Sequence, residues 1–402
     1  MSKRVYITGI GIICSIGNDV HETLQSLIAS RSGIGEITLF PTIHRGVIPM
    51  AEVKLTTSQL LEKTGNIGRK DLTRTTLLGI IAAREAVLSA GIDDLTKFKT
   101  GFISATTVGG MDRSENFYAS FLTDPGKGRL IDVVNHDCGD STERIAADLG
   151  IRDFVTTVST ACSSSVNALM LGSNLIKSGH LDRVIVGGND SVTKFTLNGF
   201  NTLMILDKTG CHPFDDNRAG LTLGEGAAFL ILESEDVISM DRKTILAEVS
   251  GYGNANDAYH QTASSPDGTG AYLAMTKALA MSGLRPEDID YINVHGTGTE
   301  NNDLSEGVAM ERIFGTNMPP FSSTKGYTGH TLGAAGAIEA VISILAMQQR
   351  MIFPNLNFKT PMKELHIEPV RELIKDRTIR HVLSNSFGFG GNNSAVVLSS
   401  DK

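Results

Sequence analysis

Val155-Thr156-Thr157-Val158-Ser159-Thr160-Ala161-Cys162-Ser163-Ser164-Ser165 reads as a short β-branched strand, predicted to be buried, that turns on small residues and delivers a cysteine to the start of a helix. Downstream, Val166, Leu169, Met170, Ser173 and Ile176 recur at helical spacing, and the serines of the first turn allow close backbone approach. A cysteine at that junction faces the unpaired N–H groups and the positive end of the helix dipole, which favours its thiolate. Two readings stay open on this stretch alone: an activated nucleophile, or a small buried hydrophobe.

The surrounding composition is that of a globular protein. The 402 residues are 41% hydrophobic and 20% charged, enough for two ordinary domains or one duplicated domain. A net charge of −8 argues against a general nucleic-acid binder. Cys14, Cys138, Cys162 and Cys211 lie far apart without a CxxC pair, so neither a zinc site nor a disulfide framework is expected, and a reducing cytoplasm suits them. Residues 1–17 read as a strand and turn rather than a signal peptide, having no small-residue cleavage site. Glu339 interrupts the best apolar run, and no membrane insertion is expected.

Around the Cys162 stretch, strand and helix patterns alternate. Helices are predicted over 21–30, 71–90, 114–122, 142–149, 270–282, 303–314 and 333–349, and strands over 101–107, 183–186, 227–232, 245–252, 291–294, 381–384 and 394–399. Residues 33–64 read as an irregular surface excursion. The chain divides into two related sets of elements, 1–243 and 244–402. In the first a strand leads to Cys162 and a small-residue helix; in the second 320–324 leads to His330 and the helix beginning Gly333-Ala334-Ala335-Gly336-Ala337. Each pattern is read as leading to a Gly-Gly turn beside asparagine, at 187–189 and 390–392. The alternation predicts α/β layering with internal duplication.

Three further stretches concentrate polar groups on glycine-framed turns. Asn293-Val294-His295-Gly296-Thr297-Gly298-Thr299 places a histidine just past a strand end. Ser322-Ser323-Thr324-Lys325-Gly326-Tyr327-Thr328-Gly329-His330 carries a lysine and a second histidine. Ser386-Phe387-Gly388-Phe389-Gly390-Gly391-Asn392-Asn393 is a glycine loop with two aromatics. A lone histidine is usually structural. One cysteine and two histidines on such turns point instead to covalent thiol chemistry.

These four motifs, in this order and spacing across essentially the whole chain, resemble the β-ketoacyl-acyl carrier protein synthases, most closely the elongating synthases I and II and polyketide ketosynthases. The resemblance implies a thiolase-like five-layered αβαβα fold of two duplicated halves, assembled as a homodimer or as a heterodimer with a ketosynthase-like subunit. It also implies an acyl carrier protein as partner and no resident cofactor or catalytic metal, although some relatives carry a monovalent cation near the counterparts of Asn293, Glu339 and Asn385. Cys162 would take the acyl chain as a thioester, while His295 and His330 would bind malonyl thioester and assist its decarboxylation. The backbone N–H groups of Cys162 and Phe389 would form an oxyanion hole, Phe389 also acting as gate. Lys325 would support His330, with Glu339 as its acidic partner. Thr297 and Thr299 match pantetheine-binding positions. Asp257 matches one at the site mouth, and Val108 and Phe387 match substrate-pocket positions. Arg69, Lys70, Arg74 and Lys208 fall in the carrier-docking region, with a solvated helix face as the plain alternative. Asp303 and Glu306, three apart on one helix face, read as structural.

Three departures stand out. His212 replaces the arginine of an Arg-Pro-Phe-Asp motif, Asn392 replaces the threonine of the gating loop, and Asn135-His136-Asp137-Cys138-Gly139-Asp140 is polar where relatives build the dimer interface and acyl pocket. A polar wall suits a conjugated or otherwise functionalised chain, as in polyenes, better than a saturated one. A non-catalytic chain-length-factor subunit would have lost the nucleophile that this chain keeps. A thiolase needs a second cysteine near the C-terminus, and none follows Cys211. Starter-unit synthases carry asparagine where His330 stands.

Overall fold

The computed structural model describes residues 4–400. Ten strands follow one another as β1 (Val5–Cys14), β2 (Thr100–Ala105), β3 (Phe154–Val158), β4 (Arg183–Asp190), β5 (Gly226–Ser234), β6 (Ala247–Asn256), β7 (Tyr291–Asn293), β8 (Phe321–Ser322), β9 (His381–Gly388) and β10 (Asn392–Ser399). The helices of the first half are α1 (Val20–Ile28), α2 (Thr57–Lys63), α3 (Arg74–Ser89), α4 (Met111–Thr123), α5 (Cys138–Leu149), α6 (Ser164–Lys177), α7 (Lys194–Thr202) and α8 (Glu235–Asp241). Those of the second are α9 (Thr269–Ser282), α10 (Glu300–Phe314), α11 (Lys325–Thr328) and α12 (Ala335–Gln349).

The sheet order exposes the duplication. It runs β3-β2-β4-β5-β1 and then β6-β10-β9-β7-β8, so each half uses its five strands in the same order and the two meet where Tyr6 and Ile7 pair with Glu248 and Ala247. Read inward from each outer edge, β3 and β8, the first two pairings are parallel and the next two antiparallel. Helices α6 and α12 pack on each other and on strands of both halves, forming the middle layer; α3 covers one outer face and α9 with α10 the other. That is the expected five-layered αβαβα arrangement.

The middle layer dictates the character of α12. A helix covered on all sides must be apolar all round, and every residue from Ala335 to Met347 is buried, Glu339 and Ser343 included. The segment Leu332–Gln349 is long and apolar enough to cross a membrane by length and composition, yet 89% of it is buried inside the protein, as befits a core helix. Close approach needs glycine at two crossings. A Cβ on Gly336 would lie 2.5 Å from Val166 of α6, and one on Gly11 would lie 2.1 Å from the Ala82 carbonyl oxygen of α3.

Several expectations change. The strand at 154–158 is not buried: β3 is an edge strand, and all five residues are half-exposed. The excursion over 33–64 contains α2, held by a capping box between Thr56 and Gln59 that the hydrophobic pattern does not reveal. Gly187-Gly188-Asn189 is not a turn but the end of β4, where glycine lets β5 and α12's entry approach. Strands β9 and β10 leave only Phe389–Gly391 as the connecting turn, shorter than the predicted 385–393.

Candidate active site

Each chemistry-bearing side chain leaves the carboxyl end of a strand. Cys162 follows β3, His295 follows β7, His330 follows β8 through α11, and Phe387 lies at the end of β9. Crevices at the carboxyl ends of parallel strands are where α/β sheets place their ligands. The backbone at this junction is unusual. Ala161, just before Cys162, has φ +54°, and Leu332, two residues after His330, has φ +52°. Non-glycine residues in the left-handed region cost free energy and persist where the surroundings enforce them. Here Ser164 Oγ accepts from the Thr160 N–H and donates to the Ala161 carbonyl, locking the bend.

Cys162 Sγ lies 3.1 Å from His330 Nε2, and the thiol and one nitrogen of each histidine fall within 4.8 Å of one another. The two imidazole rings meet edge to face at 5.3 Å and 85°. Both rings have their inner nitrogen occupied by a donor. The Leu332 N–H donates to His330 Nδ1 at 3.2 Å, and Lys325 Nζ donates to His295 Nδ1 at 3.2 Å. Burial, with the positive charge of Lys325, holds both imidazoles well below their ordinary pKa, so both are neutral. A neutral ring that accepts at Nδ1 carries its proton on Nε2. Two N–H donors are thereby presented to one point beside the thiol.

Lys325 was expected to support His330 electrostatically, and its charge does act on that ring, but its hydrogen bonds go to His295. All three of its donors are used, on His295 Nδ1, on the His295 carbonyl at 2.6 Å and on Glu339 Oε1. Burial raises the Glu339 carboxyl and Lys325 pulls it back down. Glu306 and Asp303 on α10 hold the histidine loop from below. Glu306 accepts from the N–H groups of His295 and Gly296 at 2.8 Å each and from Asn385 Nδ2, and Asp303 accepts from those of Thr297 and Gly298. Their spacing on one helix face is what serves adjacent backbone donors.

The thiol itself corrects the reading from the helix start. Burial pushes Cys162 up to about 11, with Lys325 and the Phe389 N–H pulling it down. The dehydrated pocket outweighs the helix terminus until a substrate enters.

Above the triad opens a cavity of about 250 Å³ whose wall includes Thr297, Thr299, Phe387 and Phe389, together with Phe200 and Met204, which the sequence did not single out. Thr297 and Thr299 join their hydroxyls at 2.9 Å, the Phe387 ring lies 5.9 Å from that of His295, and the Phe389 ring stacks on Phe200 at 5.8 Å. Asp257 does not line this cavity. It buttresses the gate turn, its N–H donating to the Gly391 carbonyl while its carboxylate accepts from Tyr259 and Ser265. Val108 is also absent from the cavity wall; it sits in an apolar cluster with Leu197, Leu221 and Leu332, against which Phe200 packs. Its N–H and those of Thr107 and Gly333 converge on the buried Asp190 carboxylate, which the sequence also hid.

Of the docking set, Lys70 and Lys208 are exposed, and Arg69 is exposed but engaged with Asp71 through two bonds of 2.7 and 2.6 Å. Arg74 is not a surface residue. It is 5% exposed and forms a buried ion pair with Glu225 at 2.6 Å. Helix α3 turns this end inward against β5, so the arginine is part of the core. Arg74→Ala should lower the free energy of unfolding by about 3–5 kcal/mol, because Glu225 is left charged and buried. Carrier affinity of the protein that remains folded should not change. Urea unfolding and a binding titration check the two halves of that outcome.

Behind the histidines, Asn293 Oδ1, Ser384 Oγ, Asn385 Oδ1 and Glu339 Oε2 are buried and have no hydrogen-bond partner among the described residues. Asn293 and Ser384 are cross-strand neighbours on β7 and β9. Buried polar atoms without a partner call for a water or an ion; the four oxygens are of the kind a monovalent cation takes, while Asn293 Nδ2, also unpartnered, is a donor and would not ligate it.

Comparison with known proteins agrees with the geometry. Residues 2–237 match the family described as beta-ketoacyl synthase, N-terminal domain, and residues 246–359 match beta-ketoacyl synthase, C-terminal domain. The chain is 34% identical over 410 residues to the 3-oxoacyl-[acyl-carrier-protein] synthase 2 of Staphylococcus aureus, covering 98% of each protein. Among solved structures it is similar to the ishigamide ketosynthase/chain length factor, with a TM-score of 0.93, 32% identity and full coverage of both chains. It is also similar to the ketosynthase ApeO in complex with its chain length factor ApeC from Xenorhabdus doucetiae, with a TM-score of 0.82 and 29% identity over 99% of this chain and 98% of that one.

Proposed function

The chain belongs to the β-ketoacyl synthase family, a carbon–carbon bond-forming acyltransferase family, and from that premise we propose a course for the reaction at these residues. The observation that carries it is the pair of Nε2–H donors aimed at one point beside the Cys162 thiol.

The Cys162 thiolate attacks the carbonyl of an acyl group carried on the phosphopantetheine of an acyl carrier protein. The C–S bond to the carrier breaks, the chain becomes a thioester on Sγ, and the departing carrier thiolate takes up a proton. Malonyl thioester then enters along Thr297 and Thr299, whose hydroxyls line the channel. His295 and His330 donate to its thioester oxygen, stabilising the enolate that forms as the carboxylate leaves as carbon dioxide. The enolate carbon attacks the acyl-Cys162 carbonyl. The oxyanion falls to the N–H groups of Cys162 and Phe389, and collapse expels the Cys162 thiolate and releases a β-ketoacyl carrier thioester. Lys325 holds His295 in the donating tautomer, and Glu339 neutralises Lys325. A monovalent cation held by Asn293, Ser384, Asn385 and Glu339 would fix the β7–β9 junction behind the histidines and supply positive charge there.

The partner is an acyl carrier protein, met by Lys70 and Lys208. A second ketosynthase-like subunit, identical or a chain length factor, covers the half-exposed edge strand β3 and the apolar side chains of α4 and its following turn, where Tyr118, Leu122, Leu130 and Val134 are exposed. The four free cysteines suit a reducing cytoplasm. For substrate we propose an unsaturated or otherwise functionalised chain rather than a saturated one. The polarity of the 135–140 segment supports it. Intact-protein mass spectrometry with a panel of saturated and polyunsaturated carrier thioesters tests this. Preferential loading of the polyunsaturated donors is the expected result; equal loading of saturated long chains overturns the substrate assignment.

A further inference from the structure

The gate turn Phe389–Gly391 is held from two sides. Towards the 256–261 loop, the Gly390 N–H donates to the Gln261 carbonyl at 2.8 Å and Asn256 Nδ2 donates to the Gly390 carbonyl at 2.7 Å. Towards the nucleophile, the contact is made by the one residue of this loop that departs from the family pattern. Asn392 Oδ1 accepts from Asn254 Nδ2 at 2.7 Å, Ser163 Oγ at 3.0 Å and Asn167 Nδ2 at 3.3 Å. Ser163 is the residue after Cys162, and Asn167 lies on the first turn of α6, where its Nδ2 also donates to Thr160 Oγ1 at 2.8 Å. Asn254 and Ser394 close the network, donating to Ser394 Oγ at 2.9 Å and Asn167 Oδ1 at 2.8 Å respectively.

We propose that Asn392 is a positioning residue for the oxyanion hole: its side-chain carbonyl ties the gate turn to the Cys162 elbow, setting how much of the time Phe389 lies over the thiol. Gly390 and Gly391 take φ of +76° and +73°, a backbone that glycine adopts without strain, so no side chain of the turn's own fixes it and the bonds around it set its position. The Phe389–Phe200 stack holds the ring; the Asn392 hub holds the chain two residues beyond the N–H that matters. A threonine, the family's usual residue, has a shorter side chain whose hydroxyl extends less far from the backbone towards Asn254 and Asn167. This chain therefore keeps its gate closed more of the time than threonine-bearing relatives do, guarding a thioester on Cys162 from water at the expense of faster entry. The inference rests on the acyl-transfer reading of the site.

Two measurements on Asn392→Ala and Asn392→Thr test it: the rate of Cys162 alkylation by iodoacetamide, mapped by peptide mass, and single-turnover acyl transfer from a carrier thioester. Loss of one to two net hydrogen bonds predicts alkylation faster by about fivefold to tenfold in the alanine variant and less in the threonine variant, with acyl transfer at saturating donor slowed. A merely structural role would lower the melting temperature and speed alkylation of the other buried cysteines, Cys14 and Cys211, in step with Cys162; that result, or unchanged alkylation of Cys162, overturns the proposal. Asn254→Ala, which removes the 2.7 Å donor from the far side, should move alkylation in the same direction even if an Asn392 variant fails to fold. If the wild-type enzyme takes no acyl group from any donor, the acyl-transfer reading fails, while the alkylation measurement still decides the gate.

Discussion

Cys162→Ala should abolish acyl loading: the wild-type protein is expected to gain the mass of one acyl group from a carrier thioester, and the variant to gain nothing. Condensation should fall by on the order of a thousandfold or more, since Cys162 is the one thiol in the cavity wall and what remains is binding alone. Among the other three cysteines, Cys14 is buried outside the cavity wall, Cys211 is buried behind it with its thiol on the Thr297 carbonyl, and Cys138 lies on α5 outside it. The free enzyme should also reveal the cost of burial. With the thiol pushed up to about 11, the thiolate fraction at neutral pH is small. Alkylation of Cys162 should therefore rise roughly tenfold per pH unit between about 7 and 9, which is the thiolate fraction growing below its pKa. Acyl transfer should rise less steeply, because the entering thioester, held by the N–H donors, stabilises the developing charge. Acylation of the alanine variant would refute the nucleophile; a flat alkylation profile would place the thiolate pKa below neutrality.

The physics that made part of this legible in the sequence is local. Strand-turn-helix patterning around Cys162 and the glycine frames around His295, His330 and Phe389 depend on residues near one another in the chain, and periodicity reports them directly. The duplication was visible because the strand-to-site-to-helix pattern recurs, as β3 to α6 and β8 to α12. What stayed hidden is decided by burial or long-range pairing. Arg74 reads as a surface charge because its partner, Glu225, is 151 residues away. The buried reading of Val155 to Val158 came from β-branching, but β3 is an edge strand, and edge position is a property of the sheet order rather than of the strand. The pKa of Cys162 follows from dehydration by the surrounding fold, which outweighs the helix start that the sequence shows. Asp190, Asn167 and Phe200 carry no motif, and only the fold brings them to the site. Lys325 is the instructive case: five residues separate it from His330 and thirty from His295, yet α11 turns its ammonium to the more distant histidine.

That placement makes Lys325→Met the most informative change after the nucleophile. Methionine keeps much of the aliphatic stem but removes three hydrogen bonds at once. Glu339, 3% exposed, loses its countercharge, and breaking one side of a buried pair costs about 3–5 kcal/mol. The same change frees His295 Nδ1. Without a donor on Nδ1 the imidazole can carry its proton there, facing the emptied lysine site, and Nε2 then presents a lone pair where the enolate oxygen needs an N–H. Decarboxylation of malonyl carrier thioester should fall by about a hundredfold or more, the scale of losing one preorganised oxyanion donor, while Cys162 still loads an acyl group. The double variant Lys325→Met/Glu339→Leu separates the two consequences. Removing both charges at similar volume should restore most of the lost stability, as buried pairs replaced by apolar residues generally do. It should restore none of the decarboxylation, because the donor to Nδ1 is still missing. Recovery of both together would make Lys325 a structural residue only; recovery of stability alone assigns it to the tautomer of His295.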